Sequence, residues 1–319
     1  MTALVATAPG KLILTGEYAV LDGAPAVVIA VDRRVTARVG AHAVAAPSEF
    51  LAAVIRELVM RFGETCPSVA VARAIVVDSR AFFADQRKLG LGSSAAVTVA
   101  ATARALAERG PMLDRAEVFA LAMAAHAAAQ GARGARGSGA DIAAAVHGGA
   151  IVFPAGVATP HRWPAGVRVI PFFTGVSADT ATFVAQVAAA RAARPADVSA
   201  ALAAIAAASA AASLALSASS LAAPALLAAL RLAAAAIERL ALATHVALVP
   251  PCVTAARAAM IGLGGTAKTT GAGGGDVAIA VIPATADATE ARRLLIQCGC
   301  QPLALTLDET GVDLRPDAQ

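Results

Sequence analysis

Gly90-Leu91-Gly92-Ser93-Ser94-Ala95-Ala96 stands between a loop and a long alanine-rich run that continues to about Arg109. Its residue types suit one task. Glycines let a backbone approach a ligand closely, and a helix start offers unpaired N–H groups at the positive end of the helix dipole, a setting that favours phosphate oxygens. Ser93 and Ser94 add hydroxyls able to bond a phosphate or coordinate magnesium, and Ala95 and Ala96 let the first helical turn sit tightly beneath a ligand. No lysine follows at the GxxxxGK spacing, so this is not a Walker A loop. Glycine-rich turns before helices are common and most bind nothing, so the stretch alone supports only a candidate phosphate site.

Three other segments share its character. Pro9-Gly10-Lys11 lies in the opening strand pattern, with Glu17 and Tyr18 downstream, and a lone lysine there is by default a solvated charge. Gly137-Ser138-Gly139-Ala140-Asp141 leads into an apolar run, where an acid ordinarily serves as a helix cap. Gly262-Leu263-Gly264-Gly265 and Lys268 precede Gly271-Ala272-Gly273-Gly274-Gly275-Asp276, which abuts the apolar run from Val277 to Pro283. Each glycine costs up to ~1 kcal/mol relative to alanine in regular structure. A loose surface loop has no need of so many glycines beside a core strand, so close backbone approach is the better reading.

A chain of 319 residues suits two compact lobes around one cleft. The opening alternates short apolar runs with Gly and Pro, which predicts strands and hairpin turns. Helical spacing predicts a helix over 48–63 with Ser48 as its cap, then a strand over 74–78, helices to about 109 and over 114–130, and a strand over 149–153. The crossing between lobes is expected near 155, giving an N-terminal lobe over 1–155 and a C-terminal lobe over 156–319. The second lobe reads as a strand (168–174), alanine-rich helices (181–260), a strand (277–283), a helix (286–298) and a strand (302–307). The fold class is therefore α+β rather than a regular βαβ alternation.

The chain is 58% hydrophobic but only 3% aromatic, so its core must be built from small side chains. Its formal charge is +4, carried by 26 basic residues without a cluster, which points to a small polyanionic ligand and to no nucleic-acid partner. Val198 to Leu230 carries no charge and has the length of a membrane span. It is mainly alanine and serine and contains Pro224, so two soluble helices and no membrane are expected. The start lacks a secretory pattern, and four cysteines without a CxxC pair fit a reduced, cytoplasmic protein. Cys298 and Cys300 read as buried strand residues without a role.

Taken together, PGKLILTGEYAVLDG, KLGLGSSAA, GSGADIAAAVHGG and TGAGGGD occur in an order and spacing that resembles the GHMP kinases, named for galactokinase, homoserine kinase, mevalonate kinase and phosphomevalonate kinase. The resemblance spans nearly the whole chain. It implies a ribosomal-protein-S5-like N-terminal lobe, a ferredoxin-like C-terminal lobe, ATP as co-substrate with Mg2+ as cofactor, a small phosphorylated or hydroxylated acid as acceptor, and compatibility with a homodimer. It places Lys88, Gly90, Leu91, Gly92, Ser93, Ser94 and Ala95 at ATP, with Ser94 on the metal, and makes Lys11 and Asp141 catalytic. Acceptor contacts are expected from Lys11, Glu17, Tyr18, Lys88, Gln130, Ser138, Asp141, Ser177, Thr180, Gly273 and Gly274. The GAGGGD turn would support the phosphate turn and line the cleft.

Within the family, His126 with Gln130-Gly131 is similar to the AH-x-x-AQG run of phosphomevalonate kinases, where mevalonate kinases carry a magnesium-binding Glu in place of Gln130. Phe173 to Thr180 looks like their WTG-x-x-AST segment, with Phe173 replacing Trp and Asp179 replacing Ser. The GARGAR insert before Gly137 is a further departure, and its Arg133 and Arg136 read as solvated surface. A phosphate monoester, with second pKa near ~6, is already mostly dianionic at neutral pH and needs neutralisation more than a base. Mevalonate kinase is the alternative; a decarboxylase or a ligand sensor on the same fold fits the intact Lys11, Ser94 and Asp141 and the GLGSSAA turn less well.

Overall fold

The computed structural model describes residues 4–42, 46–84, 87–110, 112–134, 137–154, 156–218 and 222–317. Strands β1 (Leu4–Thr15) and β2 (Ala26–Val39) pair antiparallel along most of their length. Helices α1 (Glu49–Phe62) and α2 (Pro67–Arg73) follow, then β3 (Ile75–Asp78) and the two-residue strands β4 (Phe83–Ala84) and β5 (Arg87–Lys88). Next come α3 (Ser93–Leu106), α4 (Arg115–Ala132), α5 (Ala140–His147), β6 (Ala150–Phe153) and β7 (Thr159–His161). The remainder comprises β8 (Val167–Phe173), helices α6 (Thr180–Ala193), α7 (Pro195–Ser217), α8 (Ala222–Thr244) and α9 (Pro251–Ile261), then β9 (Thr266–Thr269), β10 (Val277–Pro283), α10 (Ala288–Gln297), β11 (Gln301–Pro302) and β12 (Asp313–Pro316).

One sheet has the order β12-β1-β2-β6-β7 with β3 also on β2, and a second has the order β11-β8-β10-β9. The α+β class stands. Strands β7 and β12 lie beyond residue 155 yet hydrogen-bond to β6 and β1, so a cut near 155 separates paired strands. The returning segment is tied down by Asp308, which accepts from the N–H groups of Thr310 and Gly311 and pairs with Arg34. Arg115 adds hydrogen bonds to the carbonyls of Val146, Thr310 and Val312.

Expectation and structure part in two further places. The strand over 302–307 shortens to Gln301–Pro302, because the chain then leaves β8 and crosses to β2: Thr306 N–H donates to Asp32 and Leu307 bridges Val31. Cys298 is the C-cap of α10, not a strand residue, and Gly299 at φ +79° turns the chain toward the buried Cys300.

Small side chains decide how close the layers come. Helix α3 buries Ala96, Ala100, Ala103, Val99 and Leu106 among β1, β2 and α4. Each buried methyl contributes only ~0.8 kcal/mol, so stability rests on many such contacts rather than on large anchors. The uncharged stretch from 198 to 230 is divided between α7 and α8, which pack on each other; α7 is long and apolar enough to cross a membrane, but along its most apolar stretch 44% of it is buried inside the protein. Ser209 of α7 hydrogen-bonds to Thr15 at 2.8 Å and donates to the Pro25 carbonyl at 2.6 Å, fixing the helix against the end of β1.

Candidate active site

The turn Gly90–Gly92 joins the β4–β5 hairpin to α3, with Gly90 at φ +71° and Gly92, the N-cap, at φ +76°. Its carbonyl at Leu91 accepts from Lys11 N–H at 2.9 Å, which docks the turn on β1. A Cβ on Gly92 would lie 2.9 Å from Cε and 3.1 Å from Cγ of Lys11; one on Gly90 would lie 2.8 Å from Cβ and Oδ2 of Asp276. The turn is thus gripped from both sides, by a lysine of the first sheet and an aspartate at the start of β10. Gly92→Ala should therefore displace the Lys11 stem as well as strain the turn; we expect nucleotide affinity to fall at least ~10-fold, measurable by calorimetric titration of ATP.

Lys11 is half-buried, and burial holds its ammonium below the usual lysine range; Asp141 opposes this, the Lys88 charge adds to it, and Asp276 and Glu17 oppose it more weakly. Burial likewise raises the Asp276 carboxyl, against the Ala178 N–H and the charges of Lys88 and Lys11. The sign for activity follows. A lysine whose pKa is depressed loses its charge at lower pH than an exposed one, so kcat/KM, which reports the free enzyme, should fall on the basic side before the ordinary lysine range is reached. Lys11→Arg, whose guanidinium stays charged, should push that limb upward; a limb that does not move assigns it to another group.

Behind the turn, Ser94 Oγ lies 3.3 Å from Nε2 of the buried His126 on α4, and Gln130 Nε2 lies 3.5 Å from the same nitrogen. The Gln130 side chain rests against Gly137, where a Cβ would collide with its Oε1. Helix α5 starts at Ala140 after Gly139 at φ +86°, a glycine closed over by Met123. Ser138 Oγ accepts from Ala140 N–H at 3.3 Å, and Asp141, half-buried in the first turn, is the acid whose charge Lys11 feels most.

The second glycine turn docks on the segment after β8. Asp276, at φ +52°, donates its N–H to the Val176 carbonyl at 2.6 Å, and its Oδ1 accepts from Ala178 N–H at 3.2 Å. Gly273 is buried and Gly274 donates to the Leu248 carbonyl at 2.7 Å beneath the Phe183 ring. Tyr18 Oη donates to the Ala272 carbonyl at 2.5 Å, so this ring closes the two lobes' turns on each other. Ser177 and Thr180 are exposed at the start of α6. Asp179, which stands where the resembled segment has Ser, caps α6 by accepting from Ala181 N–H and the Thr182 hydroxyl.

Glu17 does not face a ligand. Its side chain is wholly buried in an ion pair with Lys268 of β9, whose Nζ also donates to the Thr269 carbonyl at 2.7 Å. The expected acceptor contact at Glu17 is replaced by an internal one, because a carboxylate at 0% side-chain exposure requires a partner. Lys268 and Asp276 were the residues whose importance sequence reasoning missed; an aspartate closing a run of glycines was the available signal. Arg133 pairs with Glu49 and lies over Phe50, while Arg136 falls outside the described residues. Cys300, pushed up to about 12 by burial and the neighbouring Cys252, is no thiolate nucleophile.

Among the described residues no group of three or more His, Cys, Asp or Glu could cage a metal ion. One serine hydroxyl at a helix start instead fits a divalent cation that is carried mainly by phosphate oxygens and water, the usual arrangement for Mg2+. A glycine turn at a helix start, a half-buried lysine and an adjacent acid together suit an enzyme that moves phosphoryl groups, a chemistry that needs mainly positioning and charge. Residues 50–149 match the family model described as the GHMP kinases N terminal domain. The chain is 30% identical over 372 residues to the phosphomevalonate kinase of Streptomyces sp. (strain CL190), covering 95% of this chain and 96% of that one. It is 30% identical over 204 residues to the mevalonate kinase of Aeropyrum pernix, covering 57% and 60% respectively. A solved structure of Streptococcus pneumoniae phosphomevalonate kinase in complex with phosphomevalonate and AMPPNP shares the fold at TM-score 0.77 and 18% identity, covering 95% of this chain and 99% of that one. The chain belongs to the GHMP kinase family and is an ATP-dependent small-molecule kinase.

Proposed function

We propose that this kinase transfers the γ-phosphoryl group of ATP to the phosphate of (R)-5-phosphomevalonate, giving 5-diphosphomevalonate in the mevalonate route to isoprenoids, in the cytoplasm. The observation that carries the reading is a second cation beside Lys11: the Lys88 charge adds to burial in holding the Lys11 ammonium below its usual range, next to a glycine turn at a helix start that suits phosphate. Two cations suit two converging phosphate chains, since each anion relieves the repulsion between them. In this reading residues 90–95 and the first turn of α3 hold the ATP phosphates and Ser94 holds Mg2+, which would neutralise charge on the transferred group. Lys11 bridges donor and acceptor phosphates. Asp141 orients Lys11, and Lys88, Ser138, Ser177, Thr180 and Gln130 surround the acceptor, with Gly273 and Gly274 shaping the wall behind Tyr18.

Asp141 beside Lys11 is also the arrangement by which an alcohol could be deprotonated, which keeps mevalonate as the second reading. The two separate in an ADP-release assay with ATP, magnesium and a panel of 5-phosphomevalonate, mevalonate, homoserine and galactose. Release stimulated by 5-phosphomevalonate alone supports the proposal; release with a free alcohol only would overturn it and leave the kinase assignment standing.

A further inference from the structure

The phosphate turn has a buried neighbour that its motif does not include. His126 is 2% exposed, its ring stacked on Phe50 of α1 with centroids 5.3 Å apart and planes 25° from parallel. Nε2 of that ring faces two groups, Ser94 Oγ at 3.3 Å and Gln130 Nε2 at 3.5 Å. An amide nitrogen can only donate, and a neutral imidazole has one donor and one acceptor nitrogen. Nε2 opposite the Gln130 amide is therefore the acceptor, which puts the ring proton on Nδ1. With no proton on Nε2, the 3.3 Å contact to Ser94 is a hydrogen bond only with the hydroxyl as donor, its hydrogen turned inward to share the one Nε2 lone pair with the more distant Gln130 amide.

We infer that Gln130 and His126 act as positioning residues that fix Ser94 as a lone-pair ligand, so that Ser94 faces the nucleotide with its oxygen lone pairs only. Such an oxygen can bind a cation but cannot donate to a phosphate, which leaves hydrogen-bond donation at the turn to Ser93 and the backbone N–H groups. The inference rests on the reading of Ser94 as a cation ligand and is independent of which acceptor is phosphorylated. It also gives position 130 a role in metal use: glutamine presents a donor to Nε2, whereas a carboxylate would present an acceptor, draw the ring proton to Nε2 and force Ser94 to turn its hydrogen outward.

The test is a long-range proton–nitrogen correlation spectrum of the full-length protein labelled with 15N-histidine, recorded without nucleotide or metal. The wild type should show His126 Nε2 unprotonated and Nδ1 protonated, and Gln130→Glu should reverse the two. Calorimetric titration with ADP, with and without Mg2+, supplies the second arm. His126→Leu should lose at least ~10-fold of the Mg2+-dependent gain in affinity, and His126→Gln, which can turn its carbonyl oxygen to Ser94, should retain most of it. A protonated Nε2 in the wild type, or His126→Leu gaining from Mg2+ as much as the wild type, would overturn the inference. Neither readout involves the acceptor, so a failure here is distinct from a failure of the proposed substrate.

Discussion

Replacing Lys11 by methionine is expected to lower kcat by at least ~10³-fold while leaving the thermal midpoint no lower than that of the wild type. The activity half of this expectation follows from position. Lys11 is locked to the glycine turn by its N–H bond to Leu91 and by the passage of its stem across Gly92, so in the proposed reading its ammonium stands where phosphoryl charge would develop. Removing one preorganised charge at such a place costs ~10²–10³-fold in well-studied cases, and a cation shared between two phosphate chains should stand at the upper end. The stability half follows from the sign of the perturbation: burial depresses the ammonium more than Asp141, Asp276 and Glu17 support it, so the charged form is disfavoured in the folded state. Methionine keeps the apolar stem and removes that cost. A variant retaining near-normal turnover would refute the role of Lys11, and one that melted well below the wild type would refute the electrostatic account of it.

The second large effect is on folding. Lys268→Met should destabilise the protein by about 3–5 kcal/mol, because it strands Glu17 as an unpaired carboxylate in a site closed to water. For a chain of this size that corresponds to a fall in thermal midpoint on the order of 10 °C. The double variant Glu17→Gln with Lys268→Met should recover most of the loss, since it removes the charge as well as its partner. Midpoints followed by circular dichroism for the two single variants and the pair form a double-mutant cycle. Additive losses would show that the pair is not a coupled unit. The contact joins the end of β1 to β9, next to the Tyr18–Ala272 hydrogen bond, so the same cycle reports how strongly the two sheets' turns are held together.

Much of this architecture is legible in the chain because it depends on local signals. The glycines at 90 and 92, the cap at Ser48 and the apolar run from Val277 to Pro283 declare themselves by residue type and spacing, and the structure places them where those signals point. What escaped depends on partners far away in sequence. Asp313–Pro316 has no strand pattern of its own and becomes a strand because Leu4–Thr7 offers an unpaired edge. Glu17 sits in a motif associated with ligands, yet its meaning is set by Lys268, 251 positions away. The departure at Asp179 was visible as a substitution, but its purpose as the cap of α6 required knowing where that helix begins. Asp276 acquires significance only when Gly90 brings its side chain onto the turn that Lys11 grips from the other side.

The central claim, that ATP here phosphorylates a phosphate rather than an alcohol, is tested most directly by the 31P spectrum of the product. After incubation of the purified protein with ATP, Mg2+ and 5-phosphomevalonate, the account predicts two new mutually coupled resonances, the signature of a P–O–P linkage in an organic diphosphate, appearing in step with ADP. A 5-phosphomevalonate resonance left unchanged, with a single uncoupled monoester resonance formed in a parallel incubation with mevalonate, would contradict it.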